Sequence, residues 1–284
     1  MTASQTRNIV VNGVLSPVLI DGPHPANDLS EAVVFVHGNP DTGSDWEPLM
    51  TPVAEFATVV APDMPGFGGA DKRAEQDYTV AGYAAHLGGV IDQLGIQRVH
   101  LVAHDFGGPF ALAWVAAHPD RVASVTLINT AVLLEYRWHR LAKIWRTPVA
   151  GELFMRATTP RVLRFVVRHD NPGLPEPWVE RITEHLVPPE TKRAVLRLYR
   201  SWRQRQMDAL VEPLRARDPD TLVVWGDADV YLPVAQAHKQ RRVFPRARIE
   251  ILPGVGHWAW LEQPDRVAEF VVPFLRDRVG KTAQ

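Results

Sequence analysis

In the stretch VHLVAHDFGGPFALAWVAAHPDR (99–121) an apolar run breaks at Ala103-His104-Asp105-Phe106-Gly107 and then turns helical. A nucleophile set two positions from a small residue on each side, between a strand and a helix, forms a nucleophile elbow. The central residue of such an elbow is usually serine; here it is Asp105. Ala103 takes the first small position, where glycine is commoner. Gly107 and Gly108 supply the close backbone approach that a strained turn needs. An Asp that merely capped a surface helix would need neither the glycine pair nor the elbow pattern. A carboxylate at a helix start is held ionised by the dipole and can attack saturated carbon to form an ester. It is a poor nucleophile for amides or esters. The residue type therefore predicts alkyl transfer to Asp105, then hydrolysis of the new ester.

Hydrolysis needs a base. Of the 11 histidines, His257 fits best, in the glycine-rich PGVGHWAW that follows the last apolar strand run. It comes after Asp105 and after the acidic loop of VVWGDADVYLP, in the chain order nucleophile, acid, base. Asp227 and Asp229 are both candidates for the acid that orients the imidazole. FVHGNPDTG (35–43) directly follows a strand run. Its Asn39 N–H, paired with that of Phe106, forms a candidate oxyanion hole, here for charge on the Asp105 carboxyl itself. His37 in the same loop is a candidate substrate contact.

These residues need a frame. AVVFVHG, ATVVAPDMPGFG, RVHLVAHD, VASVTLINT, DTLVVWGDAD and ARIEILPGVGH read as six buried strands. Two short segments before residue 22 suit a leading hairpin. TVAGYAAHLGGVIDQLG, GPFALAWVAAHP and a run from Pro264 to about Arg278 have helical spacing. Strands rich in Val, Leu and Ile alternating with helices predict an α/β fold, with a mostly parallel central sheet and helices on both faces. The alternation fails over 132–213, which is rich in Arg, Trp and Pro. This segment reads as an inserted helical cap over the strand ends, where open α/β sheets bind ligands. The expected division is a core at 1–131 and 214–284 with a cap at 132–213.

The 284 residues carry 31 basic and 32 acidic side chains, a net charge of −1, so no global field directs the chain to nucleic acid or an anionic membrane. Cysteine is absent, which excludes disulfides, thiolate metal sites and a cysteine nucleophile. No apolar run suits a signal peptide or a membrane span, and a cytoplasmic location is expected. No metal or cofactor is expected. The expected partners are water and a small apolar substrate, and a homodimer is compatible with the sequence.

As a set, VVFVHGNP, APDMPGFG, VHLVAHDFGG, WGDADVYLP and GVGHW resemble the α/β-hydrolases with an aspartate nucleophile, the epoxide hydrolases and haloalkane dehalogenases, over nearly the whole chain. The resemblance implies the α/β-hydrolase fold and an Asp–His–Asp triad. It selects Asp229, four residues beyond the strand's end, over Asp227. Some dehalogenases place the acid after the preceding strand, but INTAVLLE offers none before Glu135. Epoxide hydrolases protonate the departing oxygen with cap tyrosines. Tyr199 in VLRLYRSW matches one of these, with Tyr136 or His139 as a candidate second donor. Dehalogenases hold the halide with a Trp and an Asn. Asn39 matches the Asn, Phe106 has no N–H to replace the Trp after the nucleophile, and Trp138 or Trp145 are candidates from the cap. DFGGPFAL lacks the arginines with which fluoroacetate-cleaving relatives hold a carboxylate. The resemblance therefore implies an epoxide hydrolase first and a haloalkane dehalogenase second. A ligand-binding protein on the same scaffold is the non-enzymatic alternative.

Overall fold

A computed structural model describes residues 4–23 and 29–281. The outermost residues of the expected core, 1–3 and 282–284, lie outside the described residues. The first half of the chain alternates as the sequence predicts. A hairpin, β1 (Gln5–Val11) and β2 (Val14–Asp21), precedes β3 (Glu31–Val36), α1 (Glu47–Ala54), β4 (Val59–Pro62), α2 (Val80–Gln93), β5 (Arg98–His104), α3 (Gly107–Ala117) and β6 (Val122–Ile128). Inserted helices follow: α4 (Arg140–Arg146), α5 (Ala150–Ala157), α6 (Pro160–Asp170), α7 (Glu176–His185), α8 (Pro189–Ser201), α9 (Gln204–Asp208) and α10 (Val211–Arg217). The alternation then resumes with β7 (Asp220–Gly226), α11 (Ala235–Lys239), β8 (Arg248–Leu252), α12 (Ala259–Glu262) and α13 (Pro264–Arg276).

Local chemistry sets the element ends. The Thr79 hydroxyl accepts the Gly82 N–H and caps α2. At the other end Gly95 adopts φ +75°, and the Ile96 N–H returns to the Ile91 carbonyl in a Schellman closure. The β strands alternate strictly. Val34, Val36, Leu101, Ala103, Val125, Leu127, Val223 and Trp225 bury one face. Val33, Phe35, Val102, Ile128, Leu222 and Val224 bury the other. Both faces are apolar because both carry helices, α2 and α3 against the first set and α1 and α13 against the second.

The sheet order is β1-β2-β4-β3-β5-β6-β7-β8. The first two pairings are antiparallel and those from β4 to β8 parallel. The chain runs outward from β3 to β4, then returns to place β5 on β3's other side, so the topology reverses between β3 and β5. A crevice forms where the strand order switches, beyond the carboxyl ends of the strands. Val36 pairs with Ala103, so the loop after β3 and the turn after β5 leave the sheet side by side. The loops after β6, β7 and β8 emerge at the same end.

The inserted helices close over that end. α4 packs on α5 and α8, and α6 packs on α7. α10 packs on α3, so it sits on the core, and the expected boundary at 213 falls within it. Buried Asp45, in the short turn Gly43–Trp46, ties this layer down. Its carboxylate meets Arg181 Nε at 2.8 Å and His185 Nε2 at 3.0 Å, both on α7. No described helix is long and apolar enough to cross a membrane.

Candidate active site

Asp105 sits between the end of β5 and the start of α3 with φ +47°, the left-handed region that few residues other than glycine, asparagine and aspartate enter. Close packing forces the turn. A Cβ on Gly107 would lie 2.1 Å from the Val36 carbonyl oxygen, and one on Gly108 would lie 2.0 Å from Thr130 Oγ1. Thr130 donates its hydroxyl to the Asp105 carbonyl and so pins the elbow to the end of β6. A backbone-to-Cβ overlap this short cannot relax through a rotamer change. Gly107→Ala should therefore cost about 3 kcal/mol or more, above the usual range for overpacking. Urea unfolding monitored by circular dichroism checks it, and a loss under about 1 kcal/mol would contradict the tight elbow.

One carboxylate oxygen of Asp105 accepts the Asn39 N–H at 2.8 Å. The other lies 3.6 Å from His257 Nε2. A Cβ on Gly38 would lie 2.4 Å from Asp105 Oδ1 and 2.7 Å from the Phe106 nitrogen, so the two expected oxyanion donors flank one point. His257 Nδ1 is 2.7 Å from Asp229 Oδ2. Asp229, and not Asp227, meets the histidine; Asp227 instead accepts the Gly254 N–H in the turn after β8. Asp229 is fully engaged. Its Oδ1 accepts the Tyr231 and Leu232 N–H groups, and its Oδ2 also accepts Asn129 Nδ2 at 2.8 Å.

Burial opposes a charged imidazole at His257, but the carboxylates of Asp229 and Asp105 outweigh it and push the ring up to about 10. Burial alone would raise Asp229; the His257 charge and the hydrogen bonds outweigh it and lower the carboxyl. Asp105, His257 and Asp229 therefore make one coupled unit of two carboxylates and a cation.

Above Asp105 lies a largely apolar cavity that opens to solvent. Phe106, Trp138, Tyr199 and Trp202 form an aromatic wall, with the Tyr199 ring edge-on to Phe106 at 4.9 Å. Leu163, Val166, Val167, Ile182 and Leu186 of α6, α7 and the turn after α7 line the other side. The Tyr199 hydroxyl lies 3.4 Å from Asn39 Nδ2. Burial and the Asp105 charge raise Tyr199 well above an ordinary phenol, so it keeps its proton.

The structure separates the two candidates for a second donor. Tyr136 lines the cavity, but its hydroxyl donates to the Tyr231 carbonyl at 2.9 Å. His139 caps α4, its Nδ1 accepting the Ala142 N–H at 3.3 Å. Burial pushes this ring down to about 4, so it is neutral. With Nδ1 accepting, the one ring proton sits on Nε2. His139 thus brings a donor to the cavity wall and Tyr136 brings an occupied hydroxyl.

His37 corrects an expectation. It does not line the cavity; its Nε2 accepts the Met64 N–H at 2.8 Å and its Nδ1 donates to the Gly38 carbonyl at 2.9 Å. Both nitrogens brace the loop from below. Trp138 and Trp145 do line the cavity, and the Trp145 indole N–H is buried without a partner among the described residues. Glu135 is exposed and paired with Lys239 and Arg242, away from His257.

Sequence reasoning missed Asn129, Thr130 and Tyr231. Asn129, at φ +45° just after β6, holds Asp229 and accepts the Gly226 N–H. The available signal was the polar pair that closes the apolar run VASVTLINT at the same sheet end as the elbow.

A family model described as the alpha/beta hydrolase fold matches residues 31–264. The 2-hydroxymuconate semialdehyde hydrolase of Pseudomonas sp. (strain CF600) is 27% identical over 252 residues, 86% of this chain and 87% of its own. Epoxide hydrolase 3 of Mus musculus is 26% identical over 265 residues, 87% of this chain and 71% of its own. Among solved structures, a meta-cleavage product hydrolase from Pseudomonas fluorescens IP01 superposes with a TM-score of 0.80 at 23% identity, covering 95% of this chain and 97% of that one.

Proposed function

The chain belongs to the α/β hydrolase fold family, and from that premise we propose that it is an epoxide hydrolase working through an ester on Asp105. The observation that carries this reading is a carboxylate, not a hydroxyl, at the elbow, with Asn39 N–H on one oxygen and the protonated Tyr199 across the cavity. A relative named epoxide hydrolase agrees with it. Relatives named for other hydrolytic reactions share the fold, but a carboxylate nucleophile suits attack on saturated carbon better than acyl transfer.

In the proposed cycle the free oxygen of Asp105 attacks an epoxide carbon. The carbon–oxygen bond of the ring breaks, and the oxygen takes a proton from Tyr199 while His139 Nε2–H hydrogen-bonds it. Alkylation removes the Asp105 charge, one of the two that hold the His257 proton, so the imidazole is more readily neutral in the ester than in the free enzyme. Neutral His257, held by Asp229, then takes a proton from water as its oxygen adds to the ester carbonyl. Asn39 and Phe106 N–H groups hold the oxyanion. Collapse expels the diol, whose alkoxide takes the proton from His257; the proton left on the Asp105 carboxyl, which keeps one oxygen from water, passes to the Tyr199 phenolate, and His257 regains from solvent the proton it released in the ester.

A second reading, haloalkane dehalogenation, draws on the unpartnered indole N–H of Trp145 and the Asn39 amide as halide donors. Product assays separate the two. The proposal expects diol from a small aryl epoxide; bromide from a bromoalkane, with no diol, would replace it by the second reading. Tyr199→Phe refines the test. Loss of a general acid should slow epoxide opening by about 100-fold, measured as the single-turnover rate of substrate disappearance. A change under threefold would take Tyr199 out of the mechanism.

A further inference from the structure

The inserted segment is charged unlike the rest of the chain. Residues 132–213 hold 15 of the 31 Lys and Arg side chains but only 9 of the 32 Asp and Glu. The near-neutral whole is therefore a basic cap on an acidic core. The exposed apolar surface is uneven too. Of the six exposed large apolar side chains among the described residues, four lie on the consecutive helices α5 and α6 or at the start of α5: Val149, Leu153, Val162 and Phe165, at 69%, 62%, 46% and 69% exposure. An amphipathic helix buries one apolar stripe and turns polar side chains to water. α6 turns Leu163, Val166 and Val167 to the cavity, and α5 turns Phe154 there. Their other sides are not polar throughout. Leu153 stands one turn beyond Val149, and Phe165 one turn beyond Val162, all in water. Cations frame them. Lys143 on α4, Arg156 on α5 and Arg161 on α6 are exposed and meet no carboxylate among the described residues. α4 packs against α5, which brings Lys143 into the same layer. The acids nearby are already paired: Glu176 and Glu180 of α7 hold Arg164 and Arg168, and Glu152 holds Arg200.

We propose that the outer side of α5 and α6 docks on an anionic lipid bilayer, with Leu153 and Phe165 entering the interface and Lys143, Arg156 and Arg161 at the headgroups. Apolar side chains rimmed by free cations fit the boundary of such a bilayer, where the apolar groups leave water and each cation meets negative surface potential. A second copy of this chain, related by a two-fold axis, would set the same cations against one another. A nucleic acid would engage the charges and leave Leu153 and Phe165 in water. The contact is peripheral and reversible, since four apolar side chains and three cations form it, and salt should release it. The inner sides of the same helices wall the cavity, so docking brings that wall to the phase in which an apolar ligand concentrates. The proposal does not depend on the reaction at Asp105.

The test is co-sedimentation of the full-length chain with vesicles of equal parts phosphatidylglycerol and phosphatidylcholine. The protein should bind these at low ionic strength, leave them by about 0.5 M salt, and ignore vesicles of phosphatidylcholine alone. Arg156→Gln with Arg161→Gln should weaken binding about tenfold or more, and Leu153→Ser with Phe165→Ser by about as much. All four side chains are exposed, so both double variants should keep the wild-type circular dichroism. No binding to the anionic vesicles, equal binding to the neutral ones, or undiminished binding by either folded variant overturns the proposal. Because the chain has no cysteine, Phe165→Cys accepts a single polarity-sensitive fluorophore. Its emission should shift to the blue on anionic vesicles, while the same label at Val10→Cys, exposed on β1 of the core, should not respond. A response at Val10 and none at Phe165 puts the contact on another side and overturns the proposal. A blue shift at Phe165 without vesicles, together with a dimer in sedimentation velocity, makes a second copy the occupant and overturns it equally.

Discussion

His257→Gln protein incubated with a small aryl epoxide should gain the full mass of that epoxide, as a single stable adduct read by intact mass spectrometry. Attack by Asp105 and proton donation by Tyr199 do not use the imidazole, so the ester still forms. Its hydrolysis does, because water at neutral pH is a poor nucleophile without a base 3 Å or so from its proton. Glutamine retains a hydrogen-bonding group near Asp229 but cannot accept and return a proton. Multiple turnover should fall by about a thousandfold or more, within the span of general-base contributions. A fragment of the alkyl group alone, taken from a bromoalkane and not from the epoxide, would identify halide as the leaving group. A folded variant that stays unmodified by both reagents would count against the ester.

Asp105→Asn should abolish both the adduct and turnover, with a fall in kcat of about ten-thousandfold or more, the scale seen when a covalent nucleophile is removed. The substitution is a fair test because asparagine tolerates the left-handed backbone of residue 105, at φ +47°, about as well as aspartate. The fold should therefore survive, which circular dichroism checks in the same sample. Stability should respond in a defined direction with pH. The His257 proton, held up to about 10 in the folded wild type, stabilises it fully below the ordinary histidine value near 6.5 and less as pH rises through 10. Losing the Asp105 charge narrows that window, so the variant should be relatively less stable than wild type around pH 7 to 9 in thermal melts. Residual diol formation within tenfold of wild type would show that another group is the nucleophile.

Much of this site was legible before any coordinates. The elbow, the glycine pair, the turn chemistry of HGNP and the order of Asp105, Asp229 and His257 are local patterns. Each follows from a strand ending in a particular turn. Apolar alternation fixed which segments were strands, and parallel strands joined by helices must end at one edge of the sheet, so the motifs had to meet there. The failure of that alternation after β6 likewise marked the inserted helices.

What the sequence left open were choices between neighbours. Asp227 and Asp229 differ by two positions, yet one braces a turn and the other holds His257. Tyr136 and His139 both reach the cavity, but a carbonyl 95 residues away occupies the tyrosine hydroxyl, while the helix start of α4 fixes the histidine's proton on the free nitrogen. His37 looked like a substrate contact and braces a loop instead. Asn129 left only a faint mark in the sequence, the polar pair that closes VASVTLINT. Side-chain identity and spacing determine what a residue can donate or accept. Which partner it finds depends on the register and twist of β3 against β5 and of β6 against β7, and these belong to the packed sheet as a whole.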